Sequence, residues 1–390
     1  MSGNRFEFLE FGDAHHSSPA DAQTDAAPEV VGGTPQNLRD PDGTPLAQVR
    51  ITDPRGYGAV LHAQREESAT TVPGTQTGRA KTQLRLAEII GERGINAGQF
   101  NSPTGLSVDR SGVLYVADSY NHRVQRVTPS GGVAIIGGRG SGRGQFLSPQ
   151  GIATDRERAF YIVEQGNHRV QKFSSQGVLQ LIFGKSGSGH GELRGPMGIA
   201  VSPGTGDIFV ADTGNHRIQR FSKNGQFLGL IGAPGGLYAP LVSPQAVAID
   251  AGDNLFVADT LARRVVQYDP QGRRVVQYDP QGRPVERFAG LVLAQPRALA
   301  VDPAGLLYVA DSAAPEPMAS EEAGRVQCVD LGARHLRGEV RYGERARALA
   351  RPSGLAVSPF MEHGETAGLG FGDLYVSDTR NHRILRFVWN

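Results

Sequence analysis

The chain has 390 residues, 39% of them hydrophobic and 20% charged, with a formal net charge of +1 and a single cysteine. Near neutrality argues against wholesale electrostatic binding of nucleic acid, and the lone Cys328 excludes an internal disulfide. No apolar run of about 18 residues is available to cross a bilayer as a helix, and no basic-then-apolar leader opens the chain, so no membrane insertion and a cytoplasmic protein are expected.

The charge is unevenly divided. Residues 1–80 carry six basic and eleven acidic side chains, a net of −5, which leaves +6 for residues 81–390. From Ala14 to Lys81 the composition is dominated by Ala, Ser, Thr, Pro, Gly, Asp and Gln. Such a stretch has too little apolar surface to offset the entropy of ordering, so residues 1–80 read as a disordered tail. Within it, Phe6, Phe8, Leu9 and Phe11 interleave with Glu7 and Glu10. A frayed terminus is the simplest reading, but this apolar density in a polar tail favours a docking segment over residues 5–13, one that joins a sheet edge or groove on another protein. The run 47–52, with 57–61 after it, predicts a minor hairpin packed on the folded remainder of the chain.

From residue 84 onward the pattern changes to repetition. Pro-x-(Gly/Ala)-aliphatic begins copies at Pro103, Pro149, Pro196, Pro244, Pro296 and Pro352. Each continues to an aliphatic–aromatic run that ends in an acid: Asp118, Glu164, Asp212, Asp259, Asp311 and Asp378. Short β-rich runs punctuated by Gly, Asn, Asp and Ser make each copy a four-stranded antiparallel meander. One such sheet cannot cover both its faces, whereas six arranged radially cover one another, which predicts an all-β, six-bladed propeller over residues 81–390. The last copy ends inside its third strand. The missing outer strand is predicted at residues 84–91, whose Leu84-Arg85-Leu86-Ala87-Glu88-Ile89-Ile90-Gly91 matches the fourth-strand run Phe227–Gly232, so that the N-terminal side closes the ring.

Three residues after the acid, four copies carry Asn-His-Arg: Asn121-His122-Arg123, Asn167-His168-Arg169, Asn215-His216-Arg217 and Asn381-His382-Arg383. With Gly-Gln-Phe-x-x-Pro-x-Gly before and Val-Ala-Asp after, this context resembles the NHL repeat over about residues 84–390. Copy four departs from it with Ala262-Arg263-Arg264, and copy five keeps only Arg325. The resemblance implies a propeller used mainly for binding. It also brings two alternatives, since similar propellers include single-stranded RNA binders and metal-dependent lyases or hydrolases.

The triplets are expected to brace their own turns, with the Asn accepting or capping and the Arg bridging the repeat acid. Their histidines lie in different blades, and His190, His335 and His363 lack metal-ligand spacing, so no catalytic residue, metal or cofactor is assigned. Blade-to-blade crossings and second-to-third-strand turns are expected on one rim. That rim should display Arg93, Arg139, Arg143, Lys185, Arg194, Arg297 and Arg351, which serve either as solubilising charge or as a weak anion or RNA surface. Irregular loops at 313–323 and 360–371, and the identical tandem decapeptides 263–272 and 273–282, are further places where specificity would reside. The functional expectation is a non-enzymatic protein-interaction scaffold: a propeller head with the Phe6–Phe11 segment as anchor to a protein partner in a larger assembly.

Overall fold

The computed structural model describes residues 48–52, 58–62, 70–71 and 84–389, except 234–239, 276, 279–283, 286–290, 292, 313–323, 333–334, 342–348 and 359–371. The docking segment at 5–13 and the two irregular loops lie outside the described residues.

Six antiparallel sheets succeed one another in chain order, and the first strands of consecutive copies adjoin, including the last (Pro352–Val357) against the first (Pro103–Val108). The ring is therefore closed. The glycine of Pro-x-Gly in four copies is explained by this inner circle, where the neighbouring backbone leaves no room for a Cβ, while copies four and five carry Ala246 and Ala298 there. A Cβ on Gly198 would lie 2.7 Å from the Gln245 carbonyl oxygen, and one on Gly151 would lie 2.5 Å from that of Met197.

Each second strand is buried along its whole length in blades one to four: Leu114–Asp118, Phe160–Glu164, Ile208–Asp212 and Leu255–Asp259. That is why these runs are almost continuously apolar rather than alternating: both faces of the strand meet a neighbouring blade. The core accordingly consists of clusters shared between adjacent blades. One holds Tyr115, Phe146, Phe160 and Phe173 between blades one and two, and another holds Tyr308, Leu355, Phe387 and Trp389 between blades five and six.

Closure takes the expected route. Leu84–Ile90 is the fourth strand of the last blade, paired antiparallel with the third strand Arg383–Trp389 from Ile90↔Ile384 to Leu84↔Trp389. Its Leu84, Leu86 and Ile90 are buried, while Arg85 and Ala87 face outward, so the strand alternates as an outer strand should.

Two features depart from six identical meanders. In blade four the described sheet has three strands, ending with Arg264–Tyr268. After it, Arg274 and Val275 of the second decapeptide meet this sheet through a bridge to Tyr268 and a 2.9 Å hydrogen bond from the Val275 amide to the Gln267 carbonyl. Further along, Gln277–Tyr278 pairs with Pro284–Val285 as a small separate ribbon, so the duplication is absorbed as an extra hairpin leg. In blade five, Thr70–Thr71 adds a fifth strand outside His335–Arg341, which ties residues of the acidic segment to the ring. The pairing Gln48–Thr52 with Gly58–His62 forms the expected minor hairpin. Among the described residues no helix is long and apolar enough to cross a membrane.

Candidate functional site

The repeat acid and its arginine are direct cross-strand partners in every blade: Asp118↔Arg123, Glu164↔Arg169, Asp212↔Arg217, Asp259↔Arg264, Asp311↔Arg325 and Asp378↔Arg383. Each pair is bonded, at 2.6–2.8 Å from Nε in the four copies with the full triplet, and the carboxylates of those four are wholly buried. Desolvation this complete would destabilise an isolated carboxylate by several kcal/mol, and a charged partner with extra donors offsets it. The donors are present. Asp212 receives the Asn215 amide, the Gln219 amide at 3.0 Å and the Arg194 backbone N–H at 2.7 Å, and Asp118 is held in the same way by Asn121, Gln125 and the Asn101 N–H. Even so, burial pushes the Asp378 carboxyl above the usual carboxylate range against the pull of Asn381, the Ala350 N–H and Arg383. The guanidinium groups also reach outward to linker carbonyls: Arg123 donates to Asn96 and Gln99, and Arg217 to Gly189 and Glu192.

The triplets do more than brace their own turns. Each asparagine is a donor, shared between its acid and, in blades one to three, a crossing carbonyl at Gly94, Gly140 or Gly187, each at 2.9 Å. Each histidine has a left-handed backbone, with φ between 52° and 57°. From there His122 Nδ1 accepts the Ser148 N–H at 3.0 Å, His168 the Gly195 N–H at 3.0 Å and His382 the Ser102 N–H at 2.9 Å, and His216 Nδ1 meets the Val242 carbonyl. The imidazole thus joins one blade to the crossing that leads into the next. In copy four, Arg263 occupies the histidine position with φ 53°, and Arg264 is the true counterpart of the acid-binding arginine.

A second inter-blade tie has a clear sequence signal that repeat matching passes over. The residue after the acid is Ser or Thr in five copies, and its hydroxyl donates to the carbonyl of the next copy's proline: Ser119 to Pro149, Thr213 to Pro244, Thr260 to Pro296, Ser312 to Pro352 and Thr379 to Pro103, at 2.5–3.0 Å.

Crossings and second-to-third-strand turns meet on one rim, joined by backbone bonds such as Tyr120 N–H to Asn101, Gly214 N–H to Arg194 and Arg380 N–H to Ala350. At the centre of this rim opens a pocket of about 370 Å³. Its wall includes the x residue of Pro-x-(Gly/Ala) from all six copies: Thr104, Gln150, Met197, Gln245, Arg297 and Ser353. The most variable position of the motif is therefore the one that faces the axis, because the first strand is innermost. Ser102, Ser148 and Arg351 before the prolines and Ser119, Tyr120, Gln165, Thr379 and Arg380 from the turns complete the lining.

Of the seven rim cations expected from sequence, only Arg297 and Arg351 come together here. Arg93, Arg139, Arg143, Lys185 and Arg194 are exposed on the crossings, where Lys185 makes a surface pair with Glu192 at 3.3 Å. Phe6, Phe8, Leu9 and Phe11 lie outside the described residues. Cys328 is buried in the strand Arg325–Asp330, and burial pushes its thiol up to about 12. Among the described residues no three His, Cys, Asp or Glu side chains are gathered as a metal site would require.

A family model for the NHL repeat matches residues 100–127 and 193–221, which hold the first three strands of blades one and three. A search of curated proteins finds no match. Among solved structures, similarity extends to a gluconolactonase from Xanthomonas campestris (14% identity, 85% of this chain and 99% of that one, TM-score 0.56). It also extends to a protein of unknown function from Bacteroides thetaiotaomicron (13% identity, 91% and 90%, TM-score 0.57) and to virginiamycin B lyase from Staphylococcus aureus (11% identity, 79% and 99%, TM-score 0.51). At such identities the likeness is one of fold. Repeat match, blade register and ring closure together identify the chain as a six-bladed β-propeller that carries NHL repeats.

Proposed function

We propose that this protein is a non-enzymatic binding head whose crossing-and-turn rim docks a protein partner. The observation that carries the reading is the set of large apolar side chains left in solvent on that rim. Ile95 and Val242 on crossings and Tyr120 and Leu261 on turns are 74%, 44%, 65% and 69% exposed. They stand among the rim arginines, and a mixture of aromatic, aliphatic and Arg side chains is the composition from which binding hot spots are drawn. The ring beneath is rigid, since each blade shares a core with the next, five of the six junctions add the hydroxyl tie and four add the imidazole, so docking there has little ordering entropy to overcome. The Phe6–Phe11 segment belongs to the same proposal as an anchor into a larger assembly, and the cytoplasm is proposed as the compartment on the strength of the single buried thiol.

The activities of the lactonase and the lyase are theirs. Among the described residues the central pocket is lined by hydroxyl, amide, guanidinium, phenol and thioether groups, a set without the carboxylate or imidazole that general acid–base chemistry draws on. The test is capture of partners from the native host with wild type, a Tyr120→Ala/Leu261→Asp variant and a Phe6→Ala/Phe8→Ala/Phe11→Ala variant. Specific partners should be lost with the rim variant and weakened with the tail variant. Retention of every partner by both, together with steeply salt-dependent binding of single-stranded RNA, would transfer the function to nucleic acid.

A further inference from the structure

The six repeat arginines each face a buried carboxylate, but Arg297 does not. It stands at the x position of copy five, half-buried in the wall of the central pocket, and its acceptors are two neutral amides: Gln245 Oε1 at 3.1 Å from Nη1 and Gln295 Oε1 at 2.9 Å from Nη2. Its Nε is fully buried and bonded to nothing among the described residues. A guanidinium taken out of water without an anion destabilises the fold that holds it, and an orphaned N–H adds to that penalty.

Two more cations share the pocket. Arg351 precedes Pro352, where blades one to three have Ser102, Ser148 and Gly195, and it holds a left-handed backbone with φ 60°. Arg380 occupies the second position of its turn, where other copies have Tyr120, Gly166, Gly214 and Leu261. All three arginines come from blades five and six, so they lie on one side of the axis. Among the described residues no carboxylate lines the pocket, whereas hydroxyls from Thr104, Ser353 and Thr379 do. Burial, with Arg351 and Arg380 next in weight, brings the Arg297 guanidinium down to about 10, which still leaves it charged at neutral pH. Three like charges around a pocket with no acid among the described residues repel one another until an anion enters.

We propose that the central pocket is a binding site for a small molecule bearing two or more oxyanion groups, a polycarboxylate or an organic phosphate, held by Arg297 in the wall with Arg351 and Arg380 beside it. The planar fork of a guanidinium matches both carboxylate and phosphate, and about 370 Å³ accommodates a molecule of metabolite size. This site is independent of the docking reading, since the ring alone binds the anion and either proposal can fail without the other.

The test is thermal shift and titration calorimetry on the full chain with citrate, with pyrophosphate and with sodium chloride at matched ionic strength. Citrate, pyrophosphate or both should bind saturably and raise the melting temperature, and the one that does so identifies carboxylate or phosphate as the natural group. Arg297→Gln should abolish that binding while leaving the unliganded melting temperature unchanged or higher, which a purely structural arginine would not do. Arg380→Ser, at an exposed position, should keep the fold and weaken binding at least about tenfold. If neither anion binds beyond the chloride control, or if both variants bind as wild type does, the proposal is overturned. A lowered unliganded melting temperature in Arg297→Gln with binding retained in Arg380→Ser would also overturn it.

Discussion

The Thr379 hydroxyl donates to the Pro103 carbonyl at 2.7 Å, joining residues 276 positions apart. It is the same bond that Thr213 makes to Pro244 and Thr260 to Pro296. At the seam the bond therefore repeats the ordinary blade-to-blade tie, and His382 Nδ1, which accepts the Ser102 N–H, repeats the second one. The last blade meets the first as any blade meets its neighbour, and residues 91–102 cross from its outer strand to Pro103 as residues 137–148 cross to Pro149. Removing the bond while keeping the shape of the side chain, Thr379→Val, leaves the Pro103 carbonyl without its donor and should destabilise the ring by about 1–2 kcal/mol in urea unfolding, with Thr379→Ser restoring most of the loss.

Truncation tests the covalent side of closure. A chain lacking residues 1–69 keeps Thr70–Thr71 on blade five and Leu84–Ile90 on blade six, and should unfold in one cooperative transition close to that of the full chain. Removing residues 1–91 exposes the edge of Arg383–Trp389 and withdraws Leu84, Leu86 and Ile90 from the core, a loss on the order of 5 kcal/mol with a tendency to associate through the bared edge. Equal melting of the two truncations would contradict the seam.

The arginines of copies three and four separate pairing from position. Arg217→Ala leaves Asp212 buried with only its neutral donors and should destabilise by about 3 kcal/mol in denaturant unfolding. Arg263→Ala removes an exposed side chain at the histidine position and should fall within about 0.5 kcal/mol of wild type, because Arg264 holds Asp259. The like-for-like counterpart of Arg217 is Arg264, so Arg264→Ala should resemble Arg217→Ala.

Acid should loosen the inter-blade ties. Burial, reinforced by Arg139, holds the His122 imidazole below its ordinary range. Burial and Arg93 do the same for His382 against the opposing pull of Asp118 and Asp378. The folded state then binds protons less readily than the unfolded one. The stability these groups contribute is present above the ordinary imidazole range and is lost as pH falls through that range and the lower folded values. Protonation of Nδ1 also removes the acceptor for Ser148 or Ser102. Thermal melts between pH 8 and pH 5 should show a decline that His122→Asn/His382→Asn flattens.

Much of the architecture was readable from residue order. The six prolines, the six acids and the outer-strand run at 84–91 are local signals repeated in register, and repetition turns a weak local preference into a definite fold. The Asn-His-Arg triplets were visible too, but their reach across to Ser148, Gly195 and Ser102 was not, because a side chain's partner in the next blade depends on how two sheets are set against each other. The Ser or Thr after the acid was equally visible and equally silent until the Pro carbonyl appeared beside it.

By itself, the sequence determined the number of blades, the strand order within each and the strand that closes the ring, since these arise from hydrophobic periodicity and turn chemistry acting within about 50 residues. Only the tertiary structure decided that the x residues of six distant copies share one pocket, and that Arg297, Arg351 and Arg380 meet there with no carboxylate among the described residues. Convergence on an axis is a property of the closed ring, and no local pattern encodes which charges it will bring face to face.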